Sequence, residues 1–410
     1  MKIKLKTKLI LDDRYKILLV LVWVRSILVS YVYQFLLRIP LIADFAYPIK
    51  VFVYLIAALF ASRKFLRNLK LRDYFIYIVF CLLYSINIDV YPNTSEYLIE
   101  RAVEILLIAV PTFFVGLTQN KDEYMDLLFK WSKICIVAIV IYFMIFGHNA
   151  EIGRTTDENM GVAYRILPHL IMTLYYYLKF HRIEDGLFAL ISGLLLLACG
   201  TRGPVLNVVV FLAFYIMFYS KAKHKIFIVI LLTIFAVTMY INPSILFDPI
   251  IYLFDKLGFS TRVLDGILTG IISDDNGRTE IKMKMFEMIS QNNYKGYGIA
   301  GDRNIVKWMA YSHNILIEFL VSYGMIIGFV LFVLILFLIT KGFILANEKQ
   351  RGFISVLFFS GGFFKLFFSG SYLLEPLFFW LLGYLVMVIR TNKYKYRRKD
   401  WFNENSFRNK

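Results

Sequence analysis

Cysteine, histidine and acidic residues are scarce in this chain of 410 residues, which contains 3 Cys, 5 His and 29 Asp and Glu. The cysteines Cys81, Cys135 and Cys199 lie in or at the end of apolar runs, and they have neither a pairing pattern nor metal-ligand spacing. This argues against a disulfide scaffold and against a cysteine-based metal site. We expect the three thiols to serve packing.

Charged residues are also few, at 18%, whereas 59% of the residues are hydrophobic and 18% are aromatic. The composition excludes an ordinary water-soluble globule and indicates that the lipid bilayer is the main solvent of the chain. The first apolar run, from about Ile17 to Leu37, is too long for a signal peptide and lacks a small-residue cleavage site. We therefore expect it to remain as the first membrane span.

The net charge of +17 raises the question of nucleic-acid binding, which the positions of the basic residues answer. Most Lys and Arg fall in short segments between apolar runs, and the densest clusters share one side of the membrane if the crossings alternate. Such a bias marks the cytoplasmic side. It predicts that both termini are cytoplasmic, and we expect no nucleic-acid partner. The densest clusters are Lys2–Lys8, Arg63–Arg72, Lys221–Lys225 and Lys393–Lys399.

Apolar runs long enough to cross a hydrocarbon layer of roughly 30 Å recur about twelve times. In lipid, the backbone must satisfy its own hydrogen bonds, and these runs are longer than barrel strands, so the spans should be helices. The predicted fold class is all-α, a polytopic integral membrane protein with about 12 transmembrane helices. The runs lie near 17–37, 44–62, 73–91, 97–118, 133–148, 159–178, 186–201, 204–220, 225–242, 313–340, 352–369 and 371–390.

The predicted organisation has four parts. About nine spans fill 1–242, a large extracytoplasmic loop covers 243–312, about three spans fill 313–390, and a basic cytoplasmic tail occupies 391–410. Within the loop, apolar residues recur at helical spacing, which predicts an amphipathic helix that rests on the membrane surface or on other helices. The apolar positions of this helix are Ile281, Met285, Met288 and Ile289.

Ionisable residues inside spans are functional candidates, because charge in a bilayer is costly unless it is paired or hydrated. Arg101 stands between Glu100 and Glu104, at spacings that predict an ion pair with Glu104 on one helix. Either a structural ion cluster or a substrate contact would account for it. For Arg25 and Lys50, we favour side chains that extend to the membrane interface.

Arg165 follows the predicted outer loop 153–159 by less than two helical turns. Arg154 lies in that loop, so both guanidinium groups are candidates to face an outer cavity. Lys365 is a further isolated charge within a predicted span.

The tetrad Gly200-Thr201-Arg202-Gly203, followed by Pro204, joins two apolar runs at the predicted outer surface. Glycine and proline suit a tight reversal there. The planar donor fork of Arg202 suits a phosphate or pyrophosphate, because it binds two oxygens at once and stays charged. A lipid-headgroup anchor is the alternative interpretation.

His313 stands at the predicted water–membrane boundary, where a neutral imidazole can accept a proton from a sugar hydroxyl. A packed, hydrogen-bonded histidine is the alternative. Glu318 follows by little more than one turn, and we expect it to orient His313 directly or through Asn314. Gly324 and Gly328 have the small-xxx-small spacing of helix packing.

The ordered set of these motifs resembles the O-antigen polymerase and ligase family, over roughly residues 150–340. The resemblance implies a GT-C-like architecture and a lipid-linked glycosyltransferase on the outer face of the cytoplasmic membrane, with polyprenyl diphosphate as the leaving group. No nucleotide sugar would be needed. The motifs are Gly200–Gly203, Gly277-Arg278, Gly296-Tyr297-Gly298, and His313-Asn314 with Glu318, Gly324 and Gly328.

The resemblance also implies roles for single residues. His313 would be the base for the acceptor hydroxyl with Glu318 in support, and four arginines would bind the donor diphosphate or an acidic glycan: Arg154, Arg165, Arg202 and Arg278. Guanidinium groups can stabilise the charge that builds on a departing diphosphate, so we expect neither a metal nor another cofactor. Asp274 and Asp275 are better explained by loop solvation than by metal binding.

We predict a bacterial polysaccharide polymerase acting on O-antigen, capsule or exopolysaccharide repeat units. Both donor and acceptor would be linked to polyprenyl diphosphate, and membrane lipids, a flippase and a chain-length regulator are further candidate partners. An O-antigen ligase differs in its acceptor, and no residue separates the two. A flippase or similar transporter, a cell-wall polymerase of the shape, elongation and division type, and a non-catalytic assembly or sensor protein are competing hypotheses.

Overall fold

The structure is a computed structural model in which the described residues are helical or in short connections, with no strand among them. The predicted all-α class is therefore confirmed for this part of the chain. The side chains of 43, 143–146, 156–160, 202, 278, 304 and 393–408 lie outside the description. The described residues are 16–25, 36, 41–45, 48–49, 51–52, 55, 69–119, 124–146, 156–199, 201–219, 248, 251–252, 256, 278–304 and 312–408.

The helices are connected by short turns or by segments outside the described ranges. π-Helical turns at Val103–Ala109 and Phe358–Gly362 continue two of them, and 3-10 turns lie at Ala43–Phe45, Gly301–Asn304, Phe364–Phe367 and Tyr372–Leu374. The α-helices are α1 (Leu71–Val90), α2 (Pro92–Ala102), α3 (Pro111–Thr118), α4 (Tyr124–Phe146), α5 (Thr156–Phe180), α6 (Ile183–Ala198), α7 (Arg202–Phe218), α8 (Arg278–Gln291), α9 (Ile315–Tyr323), α10 (Met325–Leu345), α11 (Glu348–Leu357) and α12 (Pro376–Arg408).

Two described helices, α1 and α10, are long and apolar enough to cross a membrane, with mean hydropathies of 1.5 and 2.6 in their most apolar windows. Both expose large apolar side chains, such as Phe75 on α1 and Ile326 on α10, as expected for helices that face lipid. Shorter apolar segments lie at Gly203–Phe218 and Pro376–Asn392. The count of about twelve spans stays a prediction, since the runs near 17–37, 44–62 and 225–242 lie wholly or partly outside the described residues.

The helical segment over 16–25 lies inside the helical bundle. Trp23 packs edge-on against His169 of α5 and Trp380 of α12, with ring centroids 5.9 and 6.3 Å apart. Its indole Nε1 donates a hydrogen bond of 2.9 Å to the Ser132 hydroxyl of α4. A buried indole with its N–H bonded fixes the position of a helix, so this segment holds α4, α5 and α12 together.

Contacts between distant segments fall into two groups, one at each end of the helices. At the end predicted to be cytoplasmic, the ion pairs are Lys133 with Glu184 and Asp185, Lys179 with Glu348, and Asp73 with Arg390. At the other end, Asn87 Oδ1 accepts from the Ile299 backbone N–H at 2.7 Å, and the Arg303 guanidinium lies 5.0 Å from the centroid of the Tyr97 ring.

The structure divides the apolar runs that we predict as single spans near 313–340 and 352–369. In the first, Gly324 takes φ +83°, a conformation that favours glycine, and it separates α9 from α10. A Cβ on Gly328 would collide with the Phe319 carbonyl oxygen, so α10 packs tightly on α9, as the small-residue spacing predicts.

In the second run, α11 gives way to a stretch of π and 3-10 turns that reaches residue 375, just before α12. Irregular backbone is tolerated at membrane depth where it is buried in protein or lines a cavity. This stretch, residues 358–375, does both and is called the re-entrant segment below. Helical periodicity alone cannot predict such a break, because the apolar run continues through it.

The amphipathic helix predicted in the large loop is present as α8. Ile281, Met285 and Ile289 are fully buried, Met288 is half-buried, and Lys284 and Glu287 are exposed. The apolar face packs against α9, which is one of the two supports expected for this helix. The α9 residues in this contact are Ile317, Leu320 and Val321.

Candidate active site

Residues of the re-entrant segment line two cavities. The first, of about 310 Å³, is lined by three basic side chains, Arg25, Arg165 and Lys365, and we call it the cationic cavity. Trp23 and Glu375 also line it. The three cations come from the segment 16–25, from α5 and from the re-entrant segment, so tertiary structure brings them together across the sequence.

Among the described lining residues of the cationic cavity are three basic side chains and one carboxylate, which pairs with one of the three. Lys365 Nζ lies 2.5 Å from Glu375 Oε2 and 5.0 Å from the centroid of the Tyr164 ring. Glu375 is the acidic residue among the lining residues, and it faces three cations. Arginine forks in a partly dehydrated site bind phosphate oxygens with charge-assisted hydrogen bonds. The cavity is therefore chemically suited to an anionic group.

The second cavity, of about 430 Å³, contains the predicted base and is called the histidine cavity. Its lining residues are Lys282, His313, Asn314, Phe364, Phe367 and Phe368. His313 is half-buried and takes φ +53°, immediately before the start of α9. Asn314 caps that helix, since its Oδ1 accepts from the backbone N–H groups of Leu316 and Ile317 at 3.0 and 3.2 Å.

A buried network of charged groups lies beneath His313. Asp302 and Glu318 are 0% and 1% exposed, and the Arg303 side chain is 6% exposed. Arg303 Nη2 lies 3.7 Å from Glu318 Oε1, and Arg303 Nε lies 3.7 Å from Asp302 Oδ1. One guanidinium thus stands between two buried carboxylates. Such an arrangement needs further hydrogen bonds to offset desolvation.

Those hydrogen bonds connect the network to both cavities. Glu318 accepts from the Ser371 hydroxyl and, at 3.3 Å, from the Tyr372 backbone N–H of the re-entrant segment. Asp302 accepts from the backbone N–H of Ser312, at 2.9 Å, one residue before His313. The network therefore fixes the re-entrant segment relative to the residue that carries the imidazole.

The orienting contact between Glu318 and His313 that we predict from the sequence is not among the contacts of Glu318 in the described part of the chain. The partners of the carboxylate are Arg303, Ser371 and Tyr372. Asn314 is committed to capping α9. Glu318 can therefore support His313 only through the backbone that the network holds, and a catalytic role for this pair stays a prediction.

The helix α7 begins at Arg202, and its first turn packs against residues that line both cavities. A Cβ on the following residue, Gly203, would meet Tyr164, which borders the cationic cavity, and would lie 3.7 Å from Cβ of Phe368, which borders the histidine cavity. The turn that we predict at this point is thus packed against the residues that line both sites. Glycine at 203 allows the close approach.

Substituting Gly203 by Ala is expected to destabilise this junction by about 1–3 kcal/mol, the usual range for overpacking. The new Cβ would collide with the Tyr164 hydroxyl oxygen, whereas ring atom Cζ would be 3.4 Å away at ordinary contact distance. Adding Tyr164→Phe should relieve the collision, so the double variant should unfold at the temperature of Tyr164→Phe alone. Thermal unfolding of the four purified proteins tests this, and equal losses with and without the hydroxyl would contradict it.

Arg278 is the first residue of α8, one helical turn before Lys282, which lines the histidine cavity. Residues four apart on a helix lie about 6 Å apart along its axis, so the backbone of Arg278 is close to that cavity. The side chains of Arg202 and Arg278 lie outside the description, and so does the whole of Arg154. Their substrate-binding roles stay predictions.

Other predicted residues fall in different places. The predicted ion pair of Arg101 with Glu104 is confirmed, with the two groups 3.3 Å apart, and Arg101 also lies 3.1 Å from Glu100. Arg25, for which we favour an interfacial side chain, instead lines the cationic cavity. Lys50, Asp274 and Asp275 lie outside the described residues.

Sequence reasoning missed two sets of charged contacts at the site, that of Lys365 with Glu375 and that of Arg303 with Asp302 and Glu318. A signal for the first exists, because opposite charges stand in apolar runs on both sides of a predicted outer turn. For the second there is only an adjacent acid and base in a polar loop, which ordinarily indicates solvation. The burial that makes that pair important is a tertiary property.

These features define a class, namely a helical membrane protein with one cavity lined by three basic side chains and a second cavity lined by a histidine. The family model described as O-antigen ligase matches residues 187–333, which confirms the resemblance to the polymerase and ligase family. No curated protein and no solved structure matches the chain. Arg154 and Arg165 lie outside the matched region. It contains the other predicted site residues, Arg202, Arg278, His313 and Glu318.

The match supports a membrane enzyme that transfers glycans, as members of this family do, and it fits a polymerase and a ligase equally well. It spans α6 to the first turns of α10, so it covers the histidine cavity in part and the cationic cavity hardly at all. The finer functional assignment depends on the geometry of the two cavities.

Proposed function

We propose that this protein polymerises polysaccharide repeat units at the outer face of a bacterial cytoplasmic membrane. The donor would be a glycan on polyprenyl diphosphate, and the acceptor would be a second lipid-linked repeat unit. The observation that carries the proposal is that one re-entrant segment contributes lining residues to both an anion-suited cavity and a histidine cavity. A transferase needs such an arrangement to hold a charged leaving group next to an activated hydroxyl.

On the donor side, Arg165, Lys365 and Arg25 would bind the diphosphate. Negative charge builds on the diphosphate as its bond to the sugar breaks, and fixed cations in a partly dehydrated cavity stabilise that charge. The N-terminus of α7 at Arg202 adds backbone N–H groups and the positive end of a helix dipole. Arg202 would extend the anion site towards the acceptor.

On the acceptor side, His313 would take the proton from the attacking hydroxyl. The hydroxyl oxygen forms a bond to the anomeric carbon of the donor, the bond from that carbon to the diphosphate oxygen breaks, and the diphosphate leaves with the electron pair. Phe364, Phe367 and Phe368 provide an apolar aromatic wall that sugar rings can contact. Glu318 and its network would hold His313 in register.

An O-antigen ligase is the second candidate, favoured by the family model that matches residues 187–333. It would use the same donor cavity and the same base, and it would differ in the acceptor that enters the histidine cavity. A flippase and a chain-length regulator would be partners of a polymerase.

The contacts at the two ends of the helices agree with alternating crossings, and therefore with a site on the outer side.

The proposal is tested in a cell that lacks its own copy of the gene, by gel analysis of surface polysaccharide. Wild type should restore a ladder of repeat lengths. Arg165→Gln removes a cation from the cationic cavity and should leave only single repeats at the cell surface. Arg182→Gln is the matched control, because Arg182 is exposed on the connection between α5 and α6. It should retain the full ladder at equal membrane levels.

Each competing function predicts a different gel. Single repeats that fail to reach the outer face when the gene is absent would indicate transport. Long chains that form in its absence but stay on the lipid carrier would indicate a ligase. A full ladder from Arg165→Gln would contradict the role of the cationic cavity.

A further inference from the structure

Lys282 and Lys284 lie in the same turn of α8 but differ in exposure and in ion pairing. Lys282 is half-buried and lines the histidine cavity, and no carboxylate of the described residues lies within ion-pair distance of its Nζ. Lys284 is exposed and pairs with Glu280 at 2.7 Å. The buried face of α8 is fixed against α9, so the position of Lys282 at the cavity wall is fixed as well.

Among the described residues that line the histidine cavity, none is acidic and able to balance this ammonium group, whereas in the cationic cavity Glu375 pairs with Lys365. The wall formed by Phe364, Phe367 and Phe368 presents aromatic rings, whose negative faces attract the polarised C–H groups of a sugar. Asn314 and His313 add polar edges. A volume of about 430 Å³ is in the range of small-ligand sites.

We propose that the acceptor glycan carries an anionic group, a carboxylate or a phosphate, and that Lys282 recognises it. Lysine is a compact charge with three donors, suited to a single anionic group on a sugar whose rings are held by the aromatic wall. This proposal rests on the proposed function, in that the histidine cavity receives the acceptor. It goes further by naming the substrate class and the residue that selects it.

The experiment measures binding of three disaccharides to the purified protein in nanodiscs of neutral phosphatidylcholine, by saturation-transfer NMR. The probes are cellobiose, cellobiouronic acid and cellobiose 6′-phosphate, which differ in charge at one position. Wild type should bind at least one anionic probe about tenfold more tightly than cellobiose, as a charge-assisted hydrogen bond predicts. The preferred anionic probe tells a carboxylate from a phosphate.

The preference should disappear in Lys282→Gln, persist in Lys282→Arg and be unchanged in Lys284→Gln. Equal binding of all three probes to wild type would overturn the proposal. It would also be overturned if none of the three probes bound. If Lys284→Gln also lost the preference for anionic probes, general surface charge and not Lys282 would explain the preference. A preference for anionic probes that survives Lys282→Gln would show that Lys282 does not recognise the anionic group. This outcome would overturn the proposal and leave Lys282 as a contact to lipid headgroups.

The binding assay needs no turnover, so its outcome is separate from the polysaccharide gel. A ladder that forms normally without any anionic preference would overturn the role of Lys282 alone. An anionic preference in a protein that makes no ladder would overturn the polymerase assignment alone.

Discussion

Replacing His313 by Asn is expected to lower glycan transfer by about 10²–10⁴-fold, the range that a general base contributes. Asparagine accepts the left-handed backbone that His313 adopts at φ +53°, so the turn before α9 should persist while the proton acceptor is lost. His313 is not among the residues that line the cationic cavity. The loss should therefore appear in the rate of transfer and not in the yield of folded protein.

His181→Asn is the matched control. His181 also has a left-handed backbone, with φ +54°, but it is exposed at the end of α5, away from both cavities. Transfer would be measured with purified protein and lipid-linked repeat units extracted from the gene-deleted cells. If His313→Asn keeps more than about a tenth of the wild-type rate, general-base catalysis by His313 is wrong.

Replacing Arg303 by Met is expected to destabilise the protein by about 3–5 kcal/mol, the cost of breaking a buried ion pair by removing one partner. The substitution leaves Asp302 and Glu318 buried with no cation between them. Methionine keeps a similar volume, so the effect reports charge and not a cavity. The measurement is the free energy of unfolding in SDS mixed micelles.

A second substitution separates charge from packing. Adding Glu318→Gln to Arg303→Met removes one of the uncompensated carboxylates and should recover part of the loss, whereas Glu318→Gln alone should destabilise. Lys284→Met, which removes an exposed i,i+4 ion pair, should cost about 0.3–0.5 kcal/mol. An Arg303→Met protein as stable as the Lys284 variant would show that the buried network is not needed for the fold.

Local sequence patterns predict the parts of the site that local interactions form. The helix α8 follows from the spacing of Ile281, Met285 and Ile289, and the ion pair of Arg101 with Glu104 follows from residues three apart on one helix. The predicted association of His313 with Glu318 also used local spacing. In the structure, Glu318 contacts the distant Ser371 and Tyr372, because buried carboxylates take whatever donors the fold brings to them.

The cationic cavity shows why charge within a span cannot be interpreted singly. Arg25, Arg165 and Lys365 are each isolated in the sequence, and an isolated charge near a helix end is explained equally well by extension to the membrane interface. Only the packing of three distant segments brings these side chains to the wall of one cavity. Their convergence is a property of the fold.

The sequence by itself determined the membrane environment, the all-α class of the described residues and the resemblance to the polymerase and ligase family, because hydropathy, backbone hydrogen bonding in lipid and short ordered motifs are properties of the chain taken locally. Tertiary structure alone decided that the apolar runs near 313–340 and 352–369 are broken, that Arg303 lies between two buried carboxylates, and that two cavities share one wall. These features depend on contacts between residues far apart in sequence, whose free energy exists only once the helices have packed.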